Sequence, residues 1–184
     1  MELSGPLALD STSLAPHFDY DFTNIVDTEE VFTRGNYPYE RPCGCKRIAL
    51  NVTGRYGYDD RWLGMTGTDP EEWPVSYHGT GKHNAMSIVE EGFKLSKGDR
   101  FKFGKGIYST PELEVAKLYA NEFEHEGQKY FVLFQNRVNP KHLKVISKEE
   151  TEIGTYWLSS KGPDDTDDTI SELIRPYAVC IFKA

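Results

Sequence analysis

The sequence has few of the features that would mark a membrane or nucleic-acid-binding protein. No apolar stretch approaches the length needed to span a bilayer. The first twenty residues carry Glu2 and Asp10 but neither a basic start nor a long apolar run, so they do not resemble a secretory signal. Basic residues are also outnumbered, with 21 Lys and Arg against 29 Asp and Glu and a net charge of -8. We therefore expect no membrane partner and no broad cationic surface for nucleic acid.

Cysteine is scarce as well. The three cysteines, Cys43, Cys45 and Cys180, cannot all pair within one chain. Without further spaced Cys or His residues they also form no four-ligand metal pattern. We therefore predict no metal site and expect an intracellular protein, either cytoplasmic or nuclear.

The chain contains enough apolar sequence for one core. Its 184 residues, with 38% hydrophobic and 13% aromatic content, favour a single domain. Residues 1–17 mix Ser, Pro and small residues without periodicity, which indicates a flexible N-terminal tail or a strapped-down extension. We place the domain at residues 18–184, with its motif-bearing core at residues 75–184.

Strand and helix signals alternate along this core, which predicts a mixed α+β fold. Apolar residues at three-four spacing over residues 83–91, followed by Gly92, predict one helix. A second helix is expected to begin with Thr110 and Pro111 and to run to about residue 123. Strands are predicted at residues 46–52, 75–79, 106–110, 130–134 and 177–183, and a polar, acidic loop at residues 159–169.

Three short motifs follow one another in this core. They read YHGT at residues 77–80, FGKGIY at residues 103–108, and a further tyrosine, Tyr119, on the second predicted helix. In order and spacing they resemble the catalytic domain of the poly(ADP-ribose) polymerases. The likeness is strong over about residues 75–137, weaker over the last strand and absent from the first seventy residues. It implies the fold of the diphtheria-toxin-like ADP-ribosyltransferases, with split antiparallel β-sheets and flanking helices around an NAD+ cleft.

The chemistry of these residues suits NAD+. Nicotinamide is a flat cation, so the rings of Tyr108 and Tyr119 can stack on it. Its carboxamide needs a donor and an acceptor, and the backbone of Gly79 can offer both because no Cβ blocks the approach. His78 offers a ring donor for a ribose hydroxyl, and in the resembling family the matching His holds the adenosine ribose, here with help from Thr80. The alternative is that His78 caps a strand and the tyrosines fill the core.

Two positions depart from the family pattern. Ala116 stands where the family commonly has a Ser that binds the carboxamide, so one hydrogen bond to nicotinamide is expected to be missing. The third motif of the family places a Glu at the start of a late strand, where it stabilises an oxocarbenium-like transition state. Alignment of the last strand puts Pro176 or Arg175 at that position.

Other carboxylates lie a few residues upstream. Glu172 is the nearest, and Asp167 and Asp168 are more distant candidates. Each can instead be a solvated residue of an acidic loop. We take Glu172 as the candidate catalytic carboxylate, beside His78 and Tyr108.

Together these residues predict an NAD+-dependent ADP-ribosyltransferase that releases nicotinamide and transfers a single ADP-ribose to an unknown protein acceptor. Water as the acceptor would make the same site an NAD+ glycohydrolase. The main alternative is a catalytically impaired transferase fold that binds NAD+, ADP-ribose or a protein partner. An RNA 2′-phosphotransferase on a related fold would need basic residues around the cleft, for which the sequence offers mainly Arg100, Lys102 and Lys105.

Overall fold

Antiparallel strand pairing organises most of the chain. The computed structural model describes residues 5–57, 59–64, 69–98 and 101–184. The strands within these ranges are β1 (Tyr20–Asp21), β2 (Phe32–Arg34), β3 (Tyr37–Tyr39), β4 (Cys45–Ala49), β5 (Val75–Thr80), β6 (Ile107–Ser109), β7 (Phe123–His125), β8 (Gln128–Val138), β9 (Leu143–Ile146), β10 (Tyr156–Ser159) and β11 (Ile174–Lys183). The helices are α1 (Lys82–Glu91), α2 (Leu113–Lys117) and α3 (Lys148–Thr151). The fold is therefore mixed α+β, as predicted.

The strands form two sheets and a hairpin. The larger sheet has the order β1-β4-β11-β8-β5, and β7 pairs with β8 beside this path. The smaller sheet has the order β6-β10-β9, while β2 and β3 pair with each other. Neighbouring strands are antiparallel in all three. Because β5 ends the order of the larger sheet, one of its edges has no strand partner among the described residues along most of its length.

The centre of the larger sheet is buried on both faces. Almost every residue of β11 is buried, including Val179 and Cys180, and so is the second half of β8. Continuous burial of this kind is typical of strands that are covered on both sides. On β5, the His78 side chain contacts Phe93, which follows α1, whereas the next residue, Gly79, faces the backbone of α2. Neighbouring residues of a strand point to opposite faces, so the two helices cover opposite faces of the sheet.

The predicted strands correspond to β4, β5, β6, β8 and β11, with different bounds at their ends. The first predicted helix corresponds to α1, and Gly92 ends it with a φ of 78°. The predicted bounds of the second helix were wrong at both ends, because α2 covers only Leu113–Lys117. The hydroxyl of Thr110 donates to the carbonyl of Thr155 at 2.7 Å, and Thr110 forms an isolated bridge with Tyr77. No helix in the described part of the chain is long and apolar enough to cross a bilayer.

Residues 5–17 pack against the domain, which corrects the flexible tail predicted for residues 1–17. Leu7 and Leu9 are buried in the core. Backbone hydrogen bonds fasten the same segment to the end of β4 and the residues after it, from the Ala15 amide to the Ala49 carbonyl at 3.0 Å and from the Asn51 amide to the Ser13 carbonyl at 2.8 Å. The strapped-down alternative is therefore the correct one for these residues. Residues 1–4 lie outside the described ranges.

Candidate functional site

A cavity of about 490 Å³ lies where β5, α1, β6, α2 and β10 come together. Its volume is within the range of small-molecule sites, about 300–1,000 Å³. The predicted binding residues His78, Gly79, Thr80, Tyr108 and Tyr119 all line it. The fold therefore brings together in one cavity residues as far apart in the sequence as His78 and Tyr119.

Gly79 presents unpaired backbone groups at the open edge of β5. Tyr77, two residues earlier, exchanges hydrogen bonds across this edge with Thr110, at 2.7 Å and 3.0 Å. The amide and carbonyl of Gly79 point the same way because backbone groups alternate along an antiparallel strand. Neither group has a backbone partner in the described part of the chain. A hydrogen-bond donor and an acceptor therefore lie side by side on the wall of the cavity.

The absence of a side chain at Gly79 has a structural cause that the sequence did not reveal. A Cβ there would overlap the carbonyl oxygen of Ala116 and lie 2.8 Å from the amide nitrogen of Ala120. Glycine is thus required for α2 to approach β5. The sequence suggested a different reason, room for a ligand. The Cβ position of Gly79 faces α2, however, whereas its free amide and carbonyl lie in the plane of the sheet.

The imidazole of His78 is held by the backbone of β6. Its Nδ1 lies 2.9 Å from the Tyr108 carbonyl oxygen, and its ring packs edge-on against Phe93 at 5.0 Å between centroids. Burial is the main cause that lowers the pKa of His78, against the opposing effect of this hydrogen bond. A carbonyl can only accept, so in the neutral ring Nδ1 carries the proton and Nε2 is left as an acceptor. The predicted role of His78 as a donor does not fit this neutral ring, whose free Nε2 can only accept.

Tyr108 holds the preceding glycine-rich loop, residues 103–106, through its hydroxyl group. That hydroxyl accepts a hydrogen bond from the Phe103 amide at 3.0 Å and donates to the Gly104 carbonyl. The ring is half-buried and lines the cavity. Tyr108 thus fixes the shape of the loop and also supplies an aromatic surface.

Tyr119 stands at the mouth of the cavity, with 44% of its surface exposed. Its hydroxyl is hydrogen-bonded to that of Tyr156, and the two rings meet edge to face with centroids 6.1 Å apart. Tyr156 belongs to β10 and also lines the cavity. Sequence reasoning missed Tyr156, because it lies outside the three motifs and looks like an ordinary strand residue. Burial and the contact with Tyr119 raise the pKa of Tyr156.

Ala116 lines the cavity at the position where the resembling family commonly has a serine. Its methyl group is almost completely buried. Ala116 therefore offers no side-chain hydroxyl to a ligand.

The candidate carboxylates do not line the cavity. Glu172 is exposed and forms an ion pair with Lys161, which lowers the pKa of the carboxyl group. Asp167 accepts hydrogen bonds from the Ser96 amide at 3.0 Å and from the Ser96 hydroxyl at 2.6 Å. Asp168 is exposed. The assignment of Glu172 as a catalytic carboxylate is therefore corrected, since its partner and its position belong to the surface loop.

Arg175 and Pro176, which the sequence aligned with the Glu of the third motif, do not line the cavity. The Arg175 guanidinium lies over the rings of Trp73, Tyr56 and Trp62, at 4.2 Å, 4.8 Å and 5.0 Å from their centroids. Pro176 is buried and pairs with Asn136 of β8. The start of β11 is thus fixed by an aromatic cage and a proline, and it supplies no carboxylate.

The charged residues that line the described part of the cavity are basic, although the chain as a whole is acidic. Lys94, Lys97 and Lys102 line the cavity, whereas among the described residues no Asp or Glu does. Lys105 is held outside it by the carbonyl of Asp165, at 3.0 Å from its Nζ. Arg100 lies outside the described residues. The Lys- and Gly-rich composition of residues 94–105 was visible in the sequence, but which lysines face the cavity was not.

Comparison of the chain with protein-family models and with curated protein sequences finds no match in either. In the ranges that the structure covers, no group of three or more His, Cys, Asp and Glu side chains is placed to hold a metal ion. A function for the cavity therefore has to be inferred from its shape and its lining residues.

Proposed function

We propose that this cavity is the NAD+ cleft of an ADP-ribosyltransferase fold, and that the protein transfers single ADP-ribose units from NAD+ to an acceptor. The observation that carries the proposal is the unpaired amide and carbonyl of Gly79, which open into a cavity with aromatic walls. A primary carboxamide carries a matching acceptor and donor. The two small sheets and the flanking helices support the same fold.

The aromatic walls suit the rest of the nicotinamide ring. Tyr108 and Tyr119 both line the cavity and offer ring faces or edges to a flat cation. Stacking of this kind contributes about 0.5–2 kcal/mol per aromatic contact. Tyr156 braces Tyr119 through the paired hydroxyls, so the outer ring is held in place before a ligand arrives.

His78 and Thr80 are suited to the adenosine ribose of NAD+. The free Nε2 of the neutral His78 ring accepts a hydroxyl hydrogen, which matches a ribose diol. Thr80 is buried and lines the cavity on the same face of β5. These residues would orient the dinucleotide without taking part in bond cleavage.

The reaction is a substitution at the ribose carbon that bears nicotinamide. The bond from this carbon to the ring nitrogen breaks, nicotinamide leaves with the electron pair, and the acceptor forms the new bond and loses a proton to solvent. No carboxylate among the described lining residues is placed to activate a ribose hydroxyl as the next acceptor. Transfer of one unit, rather than a chain, follows from this arrangement.

The same absence of a carboxylate favours a second candidate function. A carboxylate that stabilises the transition state accelerates the reaction, and losing one such preorganised group typically costs about 10²- to 10³-fold in rate. A domain without one retains the features that bind NAD+. In this second candidate the protein is a module that binds NAD+ or ADP-ribose without turnover.

A pair of neighbouring variants tests the binding site. Tyr119→Ala removes an exposed ring from the cavity mouth, and we expect it to weaken nicotinamide and NAD+ binding by about 1–2 kcal/mol. Leu118→Ala is the control, because Leu118 is the adjacent residue, is 68% exposed and does not line the cavity. Calorimetry with both ligands gives the affinities. Equal affinities in the two variants would place nicotinamide elsewhere.

Turnover separates the two candidate functions. Incubation of the wild-type chain with NAD+, followed by chromatography, measures the release of nicotinamide and its transfer product. Release with labelled ADP-ribose attached to protein supports the transferase. Binding of NAD+ without any release supports the module.

A further inference from the structure

A residue that lies well before the motif-bearing core contacts two walls of the cavity from behind. The Tyr77 hydroxyl donates to the carbonyl oxygen of Glu40, the residue after β3, at 2.6 Å. Tyr77 is 1% exposed and stands two positions before Gly79 on β5. The amide of Leu113, the first residue of α2, donates to a carboxylate oxygen of Glu40 at 3.2 Å. Glu40 is therefore bonded to both β5 and α2.

A buried polar network holds the Glu40 backbone in place. Gln135 of β8 is completely buried, and its Nε2 donates to the hydroxyls of Tyr77 and Tyr39, both at 3.1 Å. Its Oε1 accepts from Nε of Arg47 at 2.6 Å. Both amide hydrogens and the oxygen of Gln135 are thus used, and a buried network whose members are satisfied is rigid. The carbonyl of Glu40 is fixed relative to β5 as a result.

The contact with Glu40 fastens the start of α2, and two further contacts follow along the chain. The backbone at Ala116 packs so closely on β5 that Gly79 has no room for a Cβ. After the helix, the Asn121 amide donates to the last carbonyl of β5 at 3.4 Å. Tyr119 lies between these two points and lines the cavity. The position of α2 therefore sets where Tyr119 stands relative to Gly79.

We propose that Glu40 is a positioning residue of the nicotinamide site. Its carboxylate holds the start of α2, so that Tyr119 and the free backbone groups of Gly79 keep the spacing that a nicotinamide ring needs. Glu40 does not line the cavity and acts through α2. The inference rests on the proposed function, because it gives the segment before the motifs a part in the same site.

Substitution of Glu40 tests this role cleanly, because the residue is exposed and its truncation leaves no cavity in the core. When α2 is free to leave its place, a smaller fraction of molecules is competent to bind, and the apparent affinity falls by that fraction. We expect Glu40→Ala to weaken nicotinamide binding by about three- to tenfold, the scale of one hydrogen bond. Glu40→Gln keeps an acceptor oxygen at the same place and should stay within about twofold of the wild type.

Tyr77→Phe removes the other hydrogen bond of Glu40 and leaves the ring in the core. It should weaken nicotinamide binding by a similar factor. Because both bonds act through one residue, the double variant Glu40→Ala/Tyr77→Phe should lose less affinity than the product of the two single losses. A loss equal to that product would mean that the two contacts are independent and would overturn the shared role of Glu40.

The matched control is Glu29→Ala, because Glu29 is also an exposed carboxylate but makes no hydrogen bond or ion pair among the described residues. Calorimetry with nicotinamide on the full chain gives the affinities, and thermal melting checks that each variant is folded. The NMR resonance of the Gly79 amide in the free protein reports the packing of α2 on β5 without any ligand. We expect this resonance to move in Glu40→Ala and to return in Glu40→Gln.

The outcomes separate this inference from the proposed function. A lower melting temperature of Glu40→Ala with unchanged nicotinamide affinity overturns the positioning role, since Glu40 would then only stabilise the fold. Equal losses of affinity in the Ala and Gln variants also overturn it, because the acceptor oxygen would not be what matters. If the wild type binds no nicotinamide, the proposed function fails and the Gly79 resonance decides alone. A shift that Glu40→Gln reverses then supports the positioning role, and an unchanged resonance overturns it.

Discussion

In the neutral form of the His78 ring, the carbonyl of Tyr108 decides which nitrogen carries the proton. With Nδ1 committed to that carbonyl at 2.9 Å, only Nε2 can meet a ligand. The ring accepts from a ligand hydroxyl while it is neutral and loses this ability when it is protonated. Burial favours the neutral form. His78 is therefore preset for a ligand that brings hydroxyl hydrogens.

The same burial makes folding stability depend on pH. The pKa of His78 in the folded protein lies below its usual value of 6.5. As the pH falls below about 6.5, the unfolded chain takes up a proton that the folded chain does not, so stability falls until the folded pKa is reached. We expect His78→Gln to lack this part of the decline. Urea unfolding of both proteins between pH 7.5 and pH 5 measures it, and parallel curves would show that the ring is solvated.

Glu172 is expected to be dispensable. Its carboxylate pairs with Lys161 on the surface and does not line the cavity. Exposed ion pairs of this kind contribute little, so Glu172→Gln should change nicotinamide release and NAD+ affinity by less than about twofold. The variant is compared with wild type by single-turnover assay. A loss of about 10²-fold or more would instead mean that this loop folds inward during the reaction.

At the scale of elements, the clamp between Ser96 and Asp167 connects two parts of the chain that the sequence separates widely. Removing it should free the turn that carries Lys97. We expect Asp167→Asn to speed hydrogen exchange of the Ser96 amide, because its charged acceptor is replaced by a weaker neutral one. Hydrogen-exchange NMR on the wild type and the variant measures this effect.

Asp168→Asn is the matched control for that change. Asp168 is the next residue and is exposed, but no described hydrogen bond or ion pair involves its side chain. Each variant removes one negative charge from the same loop, so a general electrostatic effect would appear in both. If the Ser96 amide exchanges equally fast in the two variants, the clamp does not hold this turn in place.

The success of sequence reasoning also differed between elements. The period of the apolar residues and the final glycine were enough to locate α1, because both signals are local. The second helix failed because Thr110 and Pro111 resemble a helix start, whereas the fold uses Thr110 to bridge Tyr77 and Thr155. Residues 123–125 form β7 for a similar reason, since Phe123 stacks on Tyr130 across the hairpin at 6.1 Å. Tertiary contacts overrode the local preference in both cases.

For the candidate site, too, the sequence revealed the residues within the motifs but not those placed by tertiary folding. The motif order identified the residues of β5 and β6 and Tyr119, which come together in one cavity. Tyr156 and the lysines that line the cavity were missed because their positions depend on how β10 and the segment after α1 fold back. The third-motif position could be recognised as lacking a Glu, but the sequence did not reveal that Arg175 is held by three aromatic rings.

At the scale of the whole molecule, the N-terminal segment is part of the core. Leu9 is buried, with 6% of its surface exposed. We expect Leu9→Ala to lower the free energy of unfolding by about 2–5 kcal/mol, the cost of a cavity at a buried leucine. Val31→Ala is the control, since Val31 is 84% exposed. Urea denaturation compares the two, and equal, small effects would mean that the segment detaches in solution.

The open edge of β5 has a consequence for handling the protein. An exposed strand edge is a template on which strands of other molecules can add, and natural sheets usually cover or shorten such edges. Here Thr110 protects the edge only at Tyr77, and the stretch at Gly79 is left to the cavity. A small molecule that takes up the Gly79 amide and carbonyl would cap this template. Aggregation during storage or concentration should therefore be slower with the ligand present than without it.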